Sequence, residues 1–483
     1  MEYWIYLLVI AVIVLAAVVL GRTLTFRTRR YAVEPVAGVE IDVDGAAERL
    51  SGAVQLQTVT GADPSQADRA PFAQFISYLE RSYPAVHATL EREIVGGYSL
   101  LYRWKGRDES LKPVLFSAHI DVVPVEEDTE QEWLYPPFSG AVAGGFVWGR
   151  GTLDVKIQII AILEAVEYLL KQNFTPARDF YFAFGHDEEV RGDEGATRLS
   201  ELFRSRGISF EYVLDEGGCV TVGGISGLDR PVALVGIGEK GYADIRLTAT
   251  GEGGHASMPP RHTAAGIIGG AVAALEKRQR PARISPFLKE MLAYIGPEMG
   301  FGKRLILANL WLFGGLFKLV FASSRPGNAL LRTTTAVTML EGGSRPNVLP
   351  QKASAVINFR IAPWESGQEL LDHIRAVAGE KIAIEPLQLY EPSRISPVNS
   401  SGFKAVEEAV YAVFPGAVTA PYIVMAGTDA VKYEPVCSQI YRFSPFQINA
   451  ADLDRIHGTN ERISLENIER AIRFFIELLK REP

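Results

Sequence analysis

The chain has 483 residues, 47% of them hydrophobic, and a formal net charge of −8. That length exceeds one ordinary domain, and the apolar content excludes a globally disordered chain. An acidic balance without a long basic run speaks against a nucleic-acid partner. The two cysteines, Cys219 and Cys437, form no C-x-x-C, so neither a disulfide framework nor a cysteine-rich zinc site is expected. Two buried thiols are the expectation, with a single disulfide between them as the alternative.

From Tyr3 to Gly21 no residue is charged. Nineteen helical residues span roughly 28 Å, close to a bilayer core. Tyr3, Trp4 and Tyr6 suit one membrane interface. A cleaved signal peptide is the rival, but it has a basic start and a shorter apolar core, whereas Met1-Glu2 offers no basic side chain. A retained single-pass anchor over 3–21 is therefore expected. Arg22, Arg27, Arg29 and Arg30 follow it, which favours a cytoplasmic flank by the positive-inside rule. Residues 22–45 show little periodicity and read as a tether.

From 46 onward helical and strand patterns alternate. Phe72–Tyr83 reads as a helix and Pro113–His119 as a buried strand. Val155–Lys171 reads as an amphipathic helix, with Ile157, Ile160, Leu163, Val166 and Leu170 on one stripe. "DFYFAF" and "EYVLDEGG" are further strands. This alternation predicts an α/β layer, a mixed sheet flanked by helices, over 46–236. Past Gly236 the order becomes strand, helix, strand, strand, helix, strand, which predicts an inserted ferredoxin-like α+β domain over 237–393. Residues 394–483 return to the α/β layer and end in a helix from Leu465 to Lys480. The apolar stretch Arg304–Ser324 is broken by Gly314-Gly315 and carries Lys318. It is expected to be a helical excursion of the inserted domain that shelters an apolar acyl group, and not a second span.

Strand ends carry the chemistry. His119 and Asp121 in "SAHIDVVP" are two apart and so share one face of a strand. Asp154 precedes the amphipathic helix; Glu188 and Glu189 follow a third strand; Asp215 and Glu216 follow a fourth. Each alone is a weak signal, since an isolated H-x-D is more often a capped turn and a Glu-Glu pair is more often solvated. Ligands of α/β sheets bind at the carboxyl ends of strands, and anions gathered there are tolerated when a cation neutralises them. Imidazole with carboxylate, without thiolate, suits zinc, with cobalt or manganese as substitutes.

The motifs "SAHIDVVP", "WGRGTLDVK", "GHDEEV", "LDEGG", "GEGGHASMP", "PNVLP", "AGTDA" and "HGTNERI" occur in the order of the aminoacylase/carboxypeptidase G family of di-zinc metallopeptidases, which the chain after its first segment resembles. "LANLWLF" and "LRTTTAVTML" resemble the branch of Gly-X carboxypeptidase and the N-fatty-acyl-amino-acid hydrolases. The resemblance implies two zinc ions per subunit. His119 and Asp215 would hold one and Glu189 and His457 the other, with Asp154 bridging. It further implies Asp121 as the residue orienting His119 and Glu188 as general base. His255 would stabilise the oxyanion from a partner subunit in a homodimer built through the inserted domain. Asn347 and Arg360 would bind the substrate carboxylate, and Gly427 and Thr428 would line the site. His87, His262 and His373 fall outside the motifs and are expected at the surface; His186 is expected to be structural. After Asp154-x-Lys156, Ile157-Gln158 stands where the family often has a small residue, which leaves the helix start open.

The function implied is a membrane-anchored di-zinc hydrolase that cuts the amide bond of N-acyl amino acids, reversible in principle. The alternatives are a carboxypeptidase acting on short peptides and an inactive metal-binding member. The side of the membrane stays open.

Overall fold

The computed structural model describes residues 2–61 and 68–481. Twelve strands build two sheets. In chain order they are β1 (Glu91–Val95), β2 (Ser99–Trp104), β3 (Val114–His119), β4 (Phe180–Gly185), β5 (Val213–Thr221), β6 (Val232–Glu239), β7 (Gly241–Thr250), β8 (Thr334–Gly342), β9 (Lys352–Ile361), β10 (Ile382–Tyr390), β11 (Val418–Val424) and β12 (Ile440–Ile448). The larger sheet has the order β1-β2-β4-β3-β5-β12-β6-β11, and the smaller one β8-β9-β7-β10. β3 runs parallel to both β4 and β5, and β5 parallel to β12, so the ends of these central strands open on one edge.

β3 and β4 are buried along their whole lengths, as strands covered on both faces must be. The helix Lys156–Lys171 covers one face and packs against the C-terminal helix Leu465–Arg481. Its predicted stripe is inside: Ile157, Ile160, Leu163 and Val166 are buried, and Leu170 is half-buried. Gln158 explains the departure noted at the helix start, because its Nε2 donates to Ser117 O of β3 at 2.8 Å and ties the first turn to the sheet. Cys219 and Cys437 are both buried free thiols.

The smaller sheet is antiparallel and alternates along β7 and β9 between buried and half-buried residues. Helices Ala264–Lys277 and Gly367–Ala378 cover its apolar face and form a separate core around Ile245, Ile357, Phe359 and Ile374. β8 is its outer strand and is mostly exposed.

Residues 26–42 carry no helix or strand and are pinned along the body. Val36 N donates to Glu477 at 2.6 Å, Tyr168 OH donates to Gly38 O at 3.1 Å, and the Tyr31 ring meets Tyr411 edge-on at 5.3 Å. The excursion, in turn, does not join the smaller core. Phe287, Leu288, Phe317 and Leu331 belong to the larger one. Phe301–Ala308 and Leu310–Phe321 form two helices bent by 115°, and the first of them packs on the N-terminal helix Glu2–Thr25 and on helix Pro286–Ile295. The sequence places this segment between β7 and β8, but apolar burial decides its home, and the larger core offers the apolar surface.

At the elbow, Asn309 is fully buried and its Nδ2 donates to Val19 O at 3.1 Å, Thr23 Oγ1 at 3.2 Å and Leu305 O at 2.9 Å. Arg29 pairs with Glu290 at 2.6 Å and stacks on Tyr294. A Cβ on Gly296 would lie 2.6 Å from the Phe26 ring, so only glycine admits this approach. The C-terminal end of the N-terminal helix is thus docked, and the segment Tyr3–Thr25 is long and apolar enough to cross a membrane, a property that a signal sequence shares. Asn309→Ala is expected to destabilise the full chain by about 1–3 kcal/mol, the cost of leaving buried partners unpaired. It should also speed tryptic cleavage at Arg27–Arg30. Thermal unfolding in detergent and timed proteolysis check this; unchanged midpoint and cleavage would refute the docking role.

Candidate metal and active site

β3 ends at His119, and its Nε2 lies 2.9 Å from Asp154 Oδ1 and 3.3 Å from Glu216 Oε1. His457 Nε2 lies 3.0 Å from Asp154 Oδ2 and 3.4 Å from Glu189 Oε2. Asp154 therefore stands between two imidazoles, with one oxygen toward each. Two donors that each sit about 2.0–2.1 Å from a tetrahedral ion lie ~3.3 Å apart, so these spacings suit shared cations. Glu188 lies with His119 and Glu189 in a third group of candidate ligand atoms, all within 4.8 Å of one another.

The supports are specific. Asp121, fully buried, accepts the backbone N–H groups of Glu188 and Glu189, each at 3.1 Å, and so aims the acidic pair. His119 Nδ1 meets Asp121 O at 2.8 Å, closer than the Asp121 carboxylate at 3.5 Å. Glu461, also fully buried, accepts Leu153 N at 2.8 Å and Asp154 N at 3.3 Å. Arg150 joins Glu461 at 2.7 Å and donates to His457 O at 3.1 Å. This pair links the Asp154 and His457 loops. Sequence reading missed both residues, although each stands inside a quoted motif.

The adjacent pair Asp215-Glu216 divides differently from the expectation. Glu216 turns toward His119. Asp215 is buried away from that contact, near Ser117 and Arg442, and its Oδ2 has no hydrogen-bond partner among the described residues. Gly218 is required because β5 passes β6 closely; a Cβ there would lie 1.8 Å from Leu234 O. The β5–β12 register shifts at this point, between Arg442 and Phe443. Asp429 of "AGTDA" was also missed. It is buried against the glycines that flank the acidic turn, Gly185 and Gly192.

Charge in the cluster is frustrated. Burial raises Glu188 well above the usual carboxylate range, with Glu216, Asp429 and Glu189 adding repulsion. Burial, with Asp154 beside it, pushes Glu216 up to about 8. Burial opposes the charge of the His119 imidazole, yet Glu216, Asp121 and Asp154 raise it well above its ordinary value. Contacts with Asp154 and Glu189 push His457 up to about 10. Glu189 Oε1 is buried without a hydrogen-bond partner among the described residues. A divalent cation neutralises such a set and takes such orphan oxygens, so the donors present fit one.

The remaining residues named from sequence are not in the cluster. His255 is exposed, pairs with Val348 across a two-residue ladder, and its Nδ1 meets Ser257 Oγ at 2.8 Å. Asn347 is its neighbour, accepting Ala256 N at 3.0 Å. Arg360 lies toward the far end of β9, stacked on Tyr242 at 4.7 Å and donating to Met425 O at 3.4 Å. Thr428 N and Oγ1 each donate to buried Glu239 at 3.1 Å, with Arg442 on the same oxygen, and the space around Gly427 is open. His186 points into Ser99 Oγ at 2.6 Å, between the Phe72 and Tyr98 rings. His262 is exposed. His87 and His373 are half-buried and not simply surface residues: His87 bridges Tyr83 O and Tyr102 OH, and His373 bonds Arg278 O.

Residues 115–481 match peptidase family M20/M25/M40. The chain is 39% identical over 443 residues to a probable carboxypeptidase S-like 2 of Dictyostelium discoideum, covering 90% of this chain and 84% of that protein. It is 37% identical over 481 residues to an N-fatty-acyl-amino acid synthase/hydrolase PM20D1 of Xenopus tropicalis, covering 98% and 93%. It also shares its fold with an M20 family metallo-carboxypeptidase, Sso-CP2 of Sulfolobus solfataricus, with TM-score 0.67, 18% identity, and 91% and 99% of the two chains covered.

Asp121→Asn keeps the size of the side chain but turns an N–H donor against the Glu188 and Glu189 amides. Zinc affinity is expected to fall about 10–100-fold, the usual cost of losing a residue that holds a ligand in place. Competition with a chromophoric chelator measures it; an unchanged affinity would remove Asp121 from this role.

Proposed function

The chain belongs to peptidase family M20/M25/M40 and is an enzyme of the metallopeptidase and amidohydrolase type; from that premise we propose that it cleaves the amide bond of N-fatty-acyl amino acids. The observation that carries the chemistry is Asp154 placed between the two imidazoles, with Glu188 beside them. Two zinc ions fit this donor set, with Co²⁺ or Mn²⁺ as substitutes. His119 and Glu216 would hold one and His457 and Glu189 the other, with Asp154 shared. When bound, the metal polarises the scissile carbonyl as a Lewis acid. Glu188 takes a proton from the attacking water and returns it to the departing amine nitrogen. Asp121 fixes the direction of Glu188 through the backbone.

Arg360 is the residue for a free α-carboxylate, because its guanidinium fork binds one bidentately. His255 and Asn347, side by side on the smaller domain and away from their own cluster, suit service to a second subunit. The exposed outer strand β8 offers that domain an edge for pairing. The docked N-terminal helix supports a retained single-pass anchor, with the catalytic body at the membrane surface. The acyl preference follows the relatives named as N-fatty-acyl-amino acid synthase/hydrolases, which match along nearly the whole chain. Carboxypeptidase action on short peptides is the second reading, favoured by the carboxypeptidase S-like relative.

A screen of N-acyl amino acids against dipeptides, with added zinc, separates the two. Long-chain N-acyl amino acids are expected to be hydrolysed and dipeptides poorly; the reverse order would overturn the acyl reading. In the same assay Glu188→Gln is expected to lower turnover at least 10²–10⁴-fold, as loss of a general base does, while metal content stays near that of the unaltered chain. Normal turnover in the folded variant would dismiss Glu188 as the base.

The ligand division gives a separate test. Glu216→Gln is expected to lose one of two bound metals on dialysis, whereas Asp215→Asn keeps both. Metal analysis with the opposite pattern would return the role to Asp215.

A further inference from the structure

Between the end of the N-terminal helix and the elbow lies a cleft of about 780 Å³ that the catalytic cluster does not use. Its size falls within the range of sites that hold small amphiphilic ligands, roughly 300–1,000 Å³. Apolar walls come from Phe26, Ile284, Leu307, Leu310 and Trp311. Its charged lining residues are Arg22, Lys289 and Lys318, with no acid among them. In a chain of net charge −8, three cations facing one cleft run against the general balance.

These cations are not engaged in ion pairs among the described residues. Arg22 gives its Nε to Ala308 O at 3.2 Å, which fixes the stem and leaves the terminal nitrogens available. The nearby acids are committed elsewhere: Glu290 pairs with Arg29 at 2.6 Å and Glu298 with Arg230 at 3.6 Å. The elbow itself exposes Trp311, Leu316, Leu319 and Val320. If that helix spans a bilayer, Arg22 near its end lies at headgroup level, beside apolar surface that reaches toward the acyl chains.

We infer that this cleft is a second binding site, for a single-chain acyl carboxylate drawn from the membrane. The carboxylate sits among Arg22, Lys289 and Lys318, and the chain lies along Phe26, Leu307, Leu310 and Trp311. Each buried methylene contributes about 0.8 kcal/mol, so a long chain is held and an acetyl group is not. The site goes beyond the hydrolytic reading, and its test reads binding, so failure of either leaves the other standing.

The full chain, reconstituted in phosphatidylcholine vesicles, is photolabelled with a diazirine-bearing palmitate, and the labelled peptides are mapped. Labels are expected within residues 22–26, 284–293 and 307–318. Lys289→Glu together with Lys318→Glu should cut labelling about tenfold or more, as loss of charge-assisted contacts does. Gly315→Trp, at an open position on the cleft wall, should do the same by filling it without altering charge. A diazirine-bearing fatty alcohol should label about tenfold less than the acid. Unlabelled palmitate should compete and phosphatidylglycerol should not. Absence of label from these three peptides, equal labelling of them in the folded variants or by the alcohol, or displacement by phosphatidylglycerol alone would each overturn the proposal; the last would assign the cleft to an anionic phospholipid.

Discussion

The gathering of like charge at one edge of a buried sheet is the constraint on which the rest of the molecule depends. Asp154, Glu188, Glu189 and Glu216 meet there, and burial and mutual repulsion make Glu188, Glu189 and Glu216 harder to ionise. Such a set persists only where opposite charge enters it. His119 and His457 approach the set from the end of β3 and from the loop after β12, and both meet the same residue, Asp154. The fold's work is to hold carboxylates close against their repulsion.

Much of that work is done by groups that never face the cluster. Asp121 spends its carboxylate on two backbone amides, which converts a flexible acidic turn into a directed pair. Glu461 does the same for the amides of Leu153 and Asp154, and Arg150 compensates its buried charge while reaching His457 O. Breaking a buried ion pair leaves an uncompensated charge, so these links are rigid. Glu239, with Arg442 and Thr428, repeats the pattern under the loop at Gly427. Backbone amides held by buried acids, with an arginine behind, recur around the site.

The second organising fact is the division of apolar surface into two cores. The smaller sheet has its own, and this lets it carry His255, Asn347 and Arg360 as a unit. The helices inserted between β7 and β8 leave that unit and settle on the larger core, where the elbow grips the N-terminal helix through Asn309. Only the last turns of that helix, around Val19 and Thr23, are buried against the elbow; its earlier residues are exposed.

The sequence alone determined a good deal. Strands β3, β4, β7 and β9 and the helices beginning near 156, 264 and 465 follow from periodicity, because burial on one or two faces writes a pattern of 2.0 or 3.6 into local sequence. The acidic strand ends were legible for the same reason: charge after an apolar run is conspicuous. What sequence could not decide was direction. Adjacent residues on a strand face opposite ways, so choosing between Asp215 and Glu216 needs the register of β5 against its neighbours, which shifts beside Gly217-Gly218. Arg150 and Glu461 stand in plain view, yet 311 positions separate them, and only the folded chain brings them to 2.7 Å. The same holds for the N-terminal helix and Asn309, 290 positions from Val19. Local pattern reports what a segment buries; which surface it buries against is settled by the competition of all segments for the same core, and that exists only in the tertiary structure.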